Sequence, residues 1–269
     1  MRVATWNLLH GIPLLDPQNV PSLAQVASNI SADLIGLQEV DRQQGRSNYE
    51  HQTKIVADAN GLPYWVFAPA ITGTPGETWE GATDSHIHLH SHADINPNEP
   101  HYGIGLASRY PLTNIEVLRF KAAPFSLPLL VPNDPRPRLM KVSDEPRLAI
   151  IADVESPLGT ITVANAHLSF VPGYNVKQLR KLTKYLVDRP NPVLVIGDFN
   201  LPGKIANLVS RWESLATLPT YPTFKPRIQF DHMISRGLAE ETVRQAKDSA
   251  EVMPLAISDH CALIVEITK

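Results

Sequence analysis

The sequence contains a single cysteine, Cys261, in 269 residues, so the chain cannot form an internal disulfide. This scarcity agrees with a reducing compartment. Long apolar runs are missing as well, and no stretch of about 18 apolar residues is present that could cross a bilayer as a helix. The first residues, MRVATWNLLHG, have the pattern of a short strand and not that of a signal peptide, so we expect a cytoplasmic protein.

An excess of positive charge is also absent. The chain has 24 basic and 27 acidic residues, and its calculated pI is near 6.4. A protein that tracks a polyanion usually carries a positive field, so nucleic acid stays open as a partner but is not favoured. The one dense basic run, Lys177–Lys184, has leucines at helical spacing. It is interpreted as the solvated face of an amphipathic helix in preference to a nucleic-acid contact.

The remaining composition is that of an ordinary globular chain. Apolar residues make up 43% of the sequence, and no break in composition divides it, so we expect one domain over residues 1–269. Periodicity and capping signals predict helices at Ser22–Ser31, Tyr49–Asn60, Val176–Val187 and near Lys204–Val209. Strands are predicted at Tyr64–Phe67, Gly103–Ser108, Ile115–Phe120, Leu148–Val154 and Thr160–Ala164.

Polar residues suited to metal and proton chemistry stand at the ends of short apolar runs that are predicted to be β-strands. Six such places are Asn7, Glu39, His167, Asp198 with Asn200, Asp231, and Asp259 with His260. Taken singly, an Asn such as Asn7 or Asn165 is an ordinary turn former, whereas Glu39 is poor turn chemistry. Because sheet edges are where α/β enzymes place their chemistry, the joint pattern predicts one site with oxygen ligands for a divalent cation and a proton-handling imidazole.

The motifs TWN, LQEVD, GIGLASRYPL, NAHLSF, GDFN, FDHMIS and SDHCAL follow one another from Trp6 to Cys261. This order resembles the endonuclease/exonuclease/phosphatase superfamily, which includes deoxyribonuclease I, exonuclease III-type repair nucleases, neutral sphingomyelinases and inositol-polyphosphate 5-phosphatases. The resemblance implies an α/β (α+β) fold, a four-layer sandwich of two packed mixed β-sheets flanked by helices. It also implies a metal-dependent hydrolase of phosphate esters.

The resemblance implies a metal site at Glu39, with Asn7 and Asp259 nearby. The expected ion is Mg²⁺, for which Mn²⁺ can substitute. Magnesium prefers oxygen ligands and keeps several waters, so one or two carboxylates suffice and the substrate phosphate completes the shell.

The resemblance also implies catalytic roles. Asp198 would orient or deprotonate the attacking water, and Asn200 would donate to a phosphoryl oxygen or touch the metal. Asp231 would hold His260 as a charged imidazole, because a carboxylate on one ring nitrogen fixes the tautomer. His167 would stabilise the transition state or protonate the leaving group, and the assignment of acid and base stays open. His232 is interpreted as structural, since side chains alternate along a strand.

Arg147 and His101 are the candidates for substrate binding, although Arg147 could equally be a surface arginine at a strand entry. Two long stretches, 70–101 and 122–146, are predicted to be irregular loops that form the substrate walls. The first holds a histidine-rich run that could bind a transition metal or could be a solvated loop. Its histidines are His86, His88, His90, His92 and His101.

Three functions are consistent with the sequence. The leading one is hydrolysis of a phosphodiester or phosphomonoester in a small molecule or lipid headgroup, by a monomeric enzyme. The second is a DNA or RNA nuclease of the same superfamily. The third is a non-catalytic binding protein, which the retention of every acid-base and metal residue argues against.

Overall fold

The computed structural model describes residues 1–13, 21–91, 98–131 and 138–268. Its helices are α1 (Leu23–Ala27), α2 (Gln52–Ala59), α3 (Tyr174–Leu186), α4 (Ile205–Ser210) and α5 (Glu240–Asp248). Its first strands are β1 (Arg2–Asn7), β2 (Leu34–Arg42), β3 (Tyr64–Gly73), β4 (Trp79–Gly81), β5 (His88–Leu89), β6 (His101–Ser108), β7 (Leu112–Phe120) and β8 (Ser126–Val131). They are followed by β9 (Arg138–Ser143), β10 (Arg147–Ser156), β11 (Gly159–His167), β12 (Val193–Asp198), β13 (Glu213–Ser214), β14 (Asp231–Arg236), β15 (Glu251–Met253) and β16 (Ala262–Glu266).

The strands form two large mixed sheets and a separate hairpin. The first sheet has the order β15-β16-β1-β2-β6-β3-β4, with β5 on β3, and the second has the order β13-β14-β12-β11-β10-β7. In each sheet two central strands run parallel, β1 beside β2 and β11 beside β12. Their neighbours β16 and β14 run antiparallel to them.

The two sheets pack face to face, and helices cover their outer faces. Alternation along β1 and β2 sends Val3 and Leu34 into the core between the sheets, and Ala4 and Ile35 outward under α1 and α2. On the other side, Leu179 of α3 packs in the outer core of the second sheet. The predicted four-layer α/β sandwich is therefore confirmed.

A buried polar contact joins the two sheets beneath the site. Gln38 Nε2 donates to Asn165 Oδ1 at 2.6 Å, and Asn165 Nδ2 donates to the carbonyl oxygens of Leu37 and Gly105. A side chain at Gly36 would meet Asn165 Oδ1 at 2.7 Å, so only glycine fits there. The interpretation of Asn165 as a loop former is wrong: it lies inside β11 and satisfies backbone groups that would otherwise be buried unpaired.

Both stretches that were predicted to be irregular contain strands. β8 and β9 pair antiparallel across the proline-rich segment, in register from Ser126 with Ser143. Pro128 is tolerated because a two-stranded sheet consists of edges only. The stretch 70–101 holds the end of β3 together with β4 and β5. The helix predicted at Ser22–Ser31 is shorter in the structure, and α5 was not predicted.

Candidate active site

The predicted site residues meet at one edge of the sandwich because strand direction brings them there. The parallel pairing of β1 with β2 ends at Asn7 opposite Gln38, and β11 and β12 end together, with His167 opposite Asp198. Antiparallel β14 begins at the same level, with Asp231 opposite Asp198. Asp231 and the Asp259-His260 pair thus precede their strands, whereas the sequence analysis placed Asp231 at the end of a strand.

Asn7 connects the two carboxylates at the centre of the site. Its Nδ2 donates to Glu39 Oε1 and to Asp198 Oδ2, both at 3.0 Å, and its Oδ1 accepts from the Leu9 backbone at 2.9 Å. Asn7 is 1% exposed, so this geometry is held firmly. One Oδ1 lone pair is left over, and the role of Asn7 as a direct metal ligand stays a prediction.

Glu39 reaches the cleft through a β-bulge. The pairing of β2 with β6 shifts register between Leu37 and Val40, and Glu39 has a φ of 52°. A left-handed glutamate is unfavourable, and such strain concentrates at functional sites. Its side chain is 22% exposed in an otherwise buried strand, so the bulge aims the carboxylate into the cleft.

Asp231 and His260 form a buried charged pair. His260 Nδ1 lies 2.8 Å from Asp231 Oδ2. Burial opposes a charge on the ring, but the carboxylates of Asp231, Asp198 and Asp259 outweigh it and raise the pKa of His260 to about 10. The imidazole is therefore a cation at neutral pH, and its Nε2 lies 3.9 Å from Asp198 Oδ2.

Asp198 sits between this cation and the rest of the site. Its Oδ1 accepts from the Asn200 backbone at 2.8 Å, and its Oδ2 accepts from Asn7. Burial raises the pKa of Asp198 to about 7, with the His260 charge opposing and the Asp231 charge adding to the effect. Gly197 before it has a φ of 140°, and a side chain there would collide with the Ala166 carbonyl oxygen, which explains the glycine of GDFN.

His167 and Arg147 line the opposite wall. Arg147 Nη1 lies 3.0 Å from His167 Nδ1, and His167 Nε2 lies 3.8 Å from Asp198 Oδ2 and 3.9 Å from Glu39 Oε1. Burial, together with the charges of Arg147 and His260, holds the pKa of His167 well below its usual range. His167 is thus a neutral hydrogen-bonding group, and Arg147 a fixed cation with 7% exposure.

Asn200 closes this part of the site. It has a φ of 50°, and one of its amide N–H groups donates to the Leu168 carbonyl oxygen at 3.0 Å. Asn200 is among the residues that line the cleft.

Glu39 and Asp259 have the donor chemistry of a hard-cation site. In the described part of the chain, Asp259 Oδ1 is buried without a hydrogen-bond partner. Burial raises the pKa of Asp259, the His260 charge opposes this, and the Glu39 charge adds to it, so the two carboxylates are close enough to repel. A divalent cation bound between them would attract both carboxylates and so offset that repulsion. Asp198, Asp231 and His260 also cluster within 4.8 Å, but a charged His260 cannot be a ligand.

The cleft over these residues has a volume of about 560 Å³. Several of its residues, among them Arg46 and Tyr102, were not singled out from the sequence. Arg46 binds the buried Asp41 through two 2.8 Å contacts and lies over the Tyr102 ring. Ser258 donates to the Asn7 carbonyl oxygen and accepts from the His260 backbone, which fixes the SDH turn to β1. The serine in SDH was the available signal for it, whereas Arg46 and Tyr102 lie outside every recognisable motif.

The structure does not bring His101 to the cleft. It is 0% exposed, and its Nδ1 lies 3.0 Å from Arg42 Nη1, on the side of β6 opposite to Tyr102. His86 and His88 pack near it, with ring centroids 5.5 and 5.8 Å away. His92 lies outside the described residues. His232 is also buried, stacked on Phe199 with its Nε2 at 2.7 Å from the Leu201 carbonyl oxygen, as expected of a structural histidine.

Comparison with known proteins agrees with this geometry. A sequence model of the Endonuclease/Exonuclease/phosphatase family matches residues 4–260. The chain belongs to this family. It is therefore a hydrolase that acts on phosphate ester bonds. A search of curated proteins found no match to the sequence.

Solved structures of the family share the fold at low sequence identity. A family protein from Leptotrichia buccalis C-1013-b has 13% identity and a TM-score of 0.61, with 100% of both chains covered. Truncated Caenorhabditis elegans TDP2 has 14% identity and a TM-score of 0.51, covering 98% of this chain and 95% of that one. The Bacteroides thetaiotaomicron VPI-5482 mannosyl-6-phosphatase has 14% identity and a TM-score of 0.51, with 100% of both covered. Within the described residues, every helix is too short or too polar to traverse a bilayer.

Proposed function

We propose that this family member is a divalent-metal-dependent phosphoesterase that hydrolyses a small molecule or lipid headgroup by attack of water on phosphorus. The observation that supports the proposal is Asp198 itself. It lies within 4 Å of a cationic His260 and a neutral His167, and Asn7 connects it to Glu39. An acceptor for a water proton and donors for phosphoryl oxygens therefore surround one point in the cleft.

Asp198 is the proposed base. Its pKa of about 7 makes it a better proton acceptor than an ordinary aspartate, yet leaves it ionised in a large share of molecules at neutral pH. The donor contacts from Asn7 and Asn200 fix the carboxylate in place, so that it can orient the water as well as deprotonate it.

His260 and Arg147 are the proposed cationic donors to the phosphoryl group. His260 stays protonated because of Asp231, and Arg147 reaches the cleft beside Phe170. Fixed donors in a buried site stabilise the charge that develops on the phosphoryl oxygens. Neutral His167 can donate a hydrogen bond to the leaving oxygen.

Glu39 and Asp259 would hold the metal, with Mg²⁺ as the proposed ion and Mn²⁺ as a substitute. When bound, the ion supplies positive charge next to the phosphoryl oxygens and the leaving group. The unpartnered Asp259 oxygen and the bulge that presents Glu39 support this assignment.

A small phosphoester fits the charge of the protein and the size of the cleft. The cleft volume of about 560 Å³ lies in the range of small-molecule sites, and the chain has more acidic than basic residues. The solved structures with a similar fold include a mannosyl-6-phosphatase and TDP2. Both small-molecule and larger substrates are therefore to be tested. The single-domain organisation and the monomeric state stay predictions.

The test is a substrate panel with the purified protein. Sugar phosphates, lipid-headgroup phosphoesters, and intact or abasic duplex DNA are offered with Mg²⁺, with Mn²⁺ and with excess chelator. We expect hydrolysis of a small ester. Chelator should abolish this activity, and raising the salt concentration from about 50 to about 200 mM should change it little. Full activity in chelator would refute the metal requirement. Efficient, steeply salt-dependent cleavage of DNA would show that the substrate is nucleic acid and not a small ester.

A further inference from the structure

A groove lined by basic residues lies beside the catalytic cleft. It has a volume of about 650 Å³ and is formed by the end of β7, the segment after it, Pro146 and one face of α3. Four basic residues line it, Arg119, Lys121, Lys177 and Lys181, of which the Arg119 guanidinium is bound to Asp84 and to the Pro69 carbonyl oxygen. Among the residues that the structure describes, its lining contains no carboxylate, although the whole chain has 27 acidic against 24 basic residues.

The cations of the groove are largely without counter-charges. In the described part of the chain, Lys121, Lys177 and Lys181 form no ion pair, and Arg119 pairs with the exposed Asp84 at 2.9 Å. Further along α3 the situation differs, because Arg189 is neutralised by Glu116 at 2.7 Å. Like charges four residues apart on a helix destabilise it, so the Lys177–Lys181 pair has a cost that an anion would remove.

The two α3 lysines are also positioned by aromatic rings. Lys177 Nζ lies 5.2 Å from the centroid of Tyr174, and Lys181 Nζ lies 5.4 Å from that of Phe120. Lys181 Nζ donates to the Arg119 carbonyl oxygen at 3.2 Å. These contacts restrict both ammonium groups to the groove instead of leaving them free in solvent.

The groove and the cleft share one wall. Pro146 lines the groove, whereas its neighbours Glu145 and Arg147 line the cleft. Arg147 also pairs in register with Phe120 on β7. The cleft and the groove are therefore adjacent, with the backbone at Pro146 between them.

We propose that this groove is a second anion-binding site, which takes a distal phosphate group of the substrate. The inference rests on the proposed function, in that the first phosphate is the one hydrolysed in the cleft. It makes the substrate class a molecule with at least two anionic groups a fixed distance apart. Two linked sites would then bind such a molecule more tightly than either site alone.

The test uses alkanediol bisphosphates of increasing chain length, with alkyl monophosphates of matched length as references. Binding is measured by calorimetry in Mg²⁺ with the Asp198→Asn protein, in which turnover is slow. We expect the bisphosphate to bind about tenfold or more tightly at one best length, because two linked charge-assisted contacts act together.

Two double variants locate the effect. K177Q/K181Q should abolish the bisphosphate advantage and leave monophosphate binding unchanged. R180Q/K184Q removes the same charge from exposed positions of α3 outside the groove, with the same spacing, and should keep the advantage. Thermal unfolding of both variants checks that the fold is retained.

The other outcomes would overturn the proposal. If no chain length gives an advantage, or if both double variants lose it equally, the groove is not a specific anion site. If K177Q/K181Q weakens binding only of a single-stranded oligonucleotide, the groove is a polyanion surface. Because binding is read without turnover, failure here is separable from failure of wild-type protein to hydrolyse any phosphoester, which would refute the proposed function.

Discussion

His260 and His167 lie on two sides of the same carboxylate and yet carry different charge. Asp198 Oδ2 is 3.9 Å from the first ring and 3.8 Å from the second. Both histidines are buried, and burial alone would lower the pKa of each. A carboxylate, Asp231, contacts His260, whereas a guanidinium, Arg147, contacts His167. Burial lowers the pKa of both rings, and only His260 has a carboxylate partner that outweighs it, so the charge of the partner decides which of the two stays protonated.

This difference gives the cleft two kinds of donor. A cationic imidazole can hold a phosphoryl oxygen throughout the reaction, whereas a neutral one can form a weaker hydrogen bond to the leaving oxygen. The strand order produces the difference, because β14 delivers Asp231 to one side of Asp198 and β10 delivers Arg147 to the other. Substitutions that change one partner at a time therefore test the comparison.

The largest effect is expected from the charged side. His260→Ala should lower kcat by roughly 10²–10⁴-fold, because it removes the cation beside the phosphoryl group. Adding Asp231→Ala should cost little more, since Asp231 acts through His260. Steady-state kinetics of the two single variants and the double variant measure this. Losses that multiply would show that the two residues act independently.

A smaller effect is expected at the metal site. Glu39→Gln keeps the shape of the side chain but loses the charge that offsets a divalent cation. We expect the Mg²⁺ concentration for half-maximal activity to rise about 100-fold, since even partners outside the metal shell are worth about 10–100-fold. Gln38→Glu is unsuitable as a control because Gln38 is buried between the sheets, but Glu50→Gln removes a half-buried carboxylate that does not line the cleft. An unchanged Mg²⁺ titration for Glu39→Gln would exclude Glu39 as a ligand.

The pH dependence of the rate should follow from the ionisation of Asp198 and His260. Asp198 must be ionised to accept a proton, so kcat/KM should fall about tenfold per pH unit below its pKa of about 7. His260 must be protonated to donate, so the rate should also fall as the pH rises through about 10. His167 is neutral throughout and should add no limb. Asp198→Asn should lose the acidic limb, and an acidic limb that persists unchanged in that variant would remove Asp198 as the base.

The sequence predicts the site better than its surroundings. The motifs around Asp198, His260 and Glu39 are local, and each residue has a chemical reason to stand where it does. The Glu39 bulge and the inter-sheet role of Asn165 are not local, because they depend on how β2 pairs with β6 and how the two sheets face each other. Neither distant pairing leaves a periodic signal in one strand.

The wall of the cleft was predicted least well. The proline-rich segment was interpreted as irregular, yet β8 and β9 form a hairpin there, since edge strands accept proline. The Lys177–Lys184 run was interpreted as a solvated face, and its leucines do pack in the core as expected. Periodicity cannot show that Arg119 and Lys121 lie opposite Lys177 and Lys181, because that contact joins residues more than 50 positions apart.

The smallest effect on catalysis is expected at His101, which the sequence suggested as a substrate-binding residue. Its ring is fully buried, and His101 Nδ1 accepts from the buried Arg42 guanidinium, so it has no route to a substrate in the cleft. His101→Ala should therefore change kcat/KM less than about twofold while lowering the free energy of unfolding by about 1–3 kcal/mol, since Arg42 loses an acceptor. Arg147→Gln provides the contrast, because it faces the cleft and should raise KM. Denaturant unfolding and steady-state kinetics on both variants separate the two cases. A tenfold or greater loss of kcat/KM in His101→Ala, with stability unchanged, would return His101 to the substrate site and contradict the buried role that its contacts with Arg42 indicate.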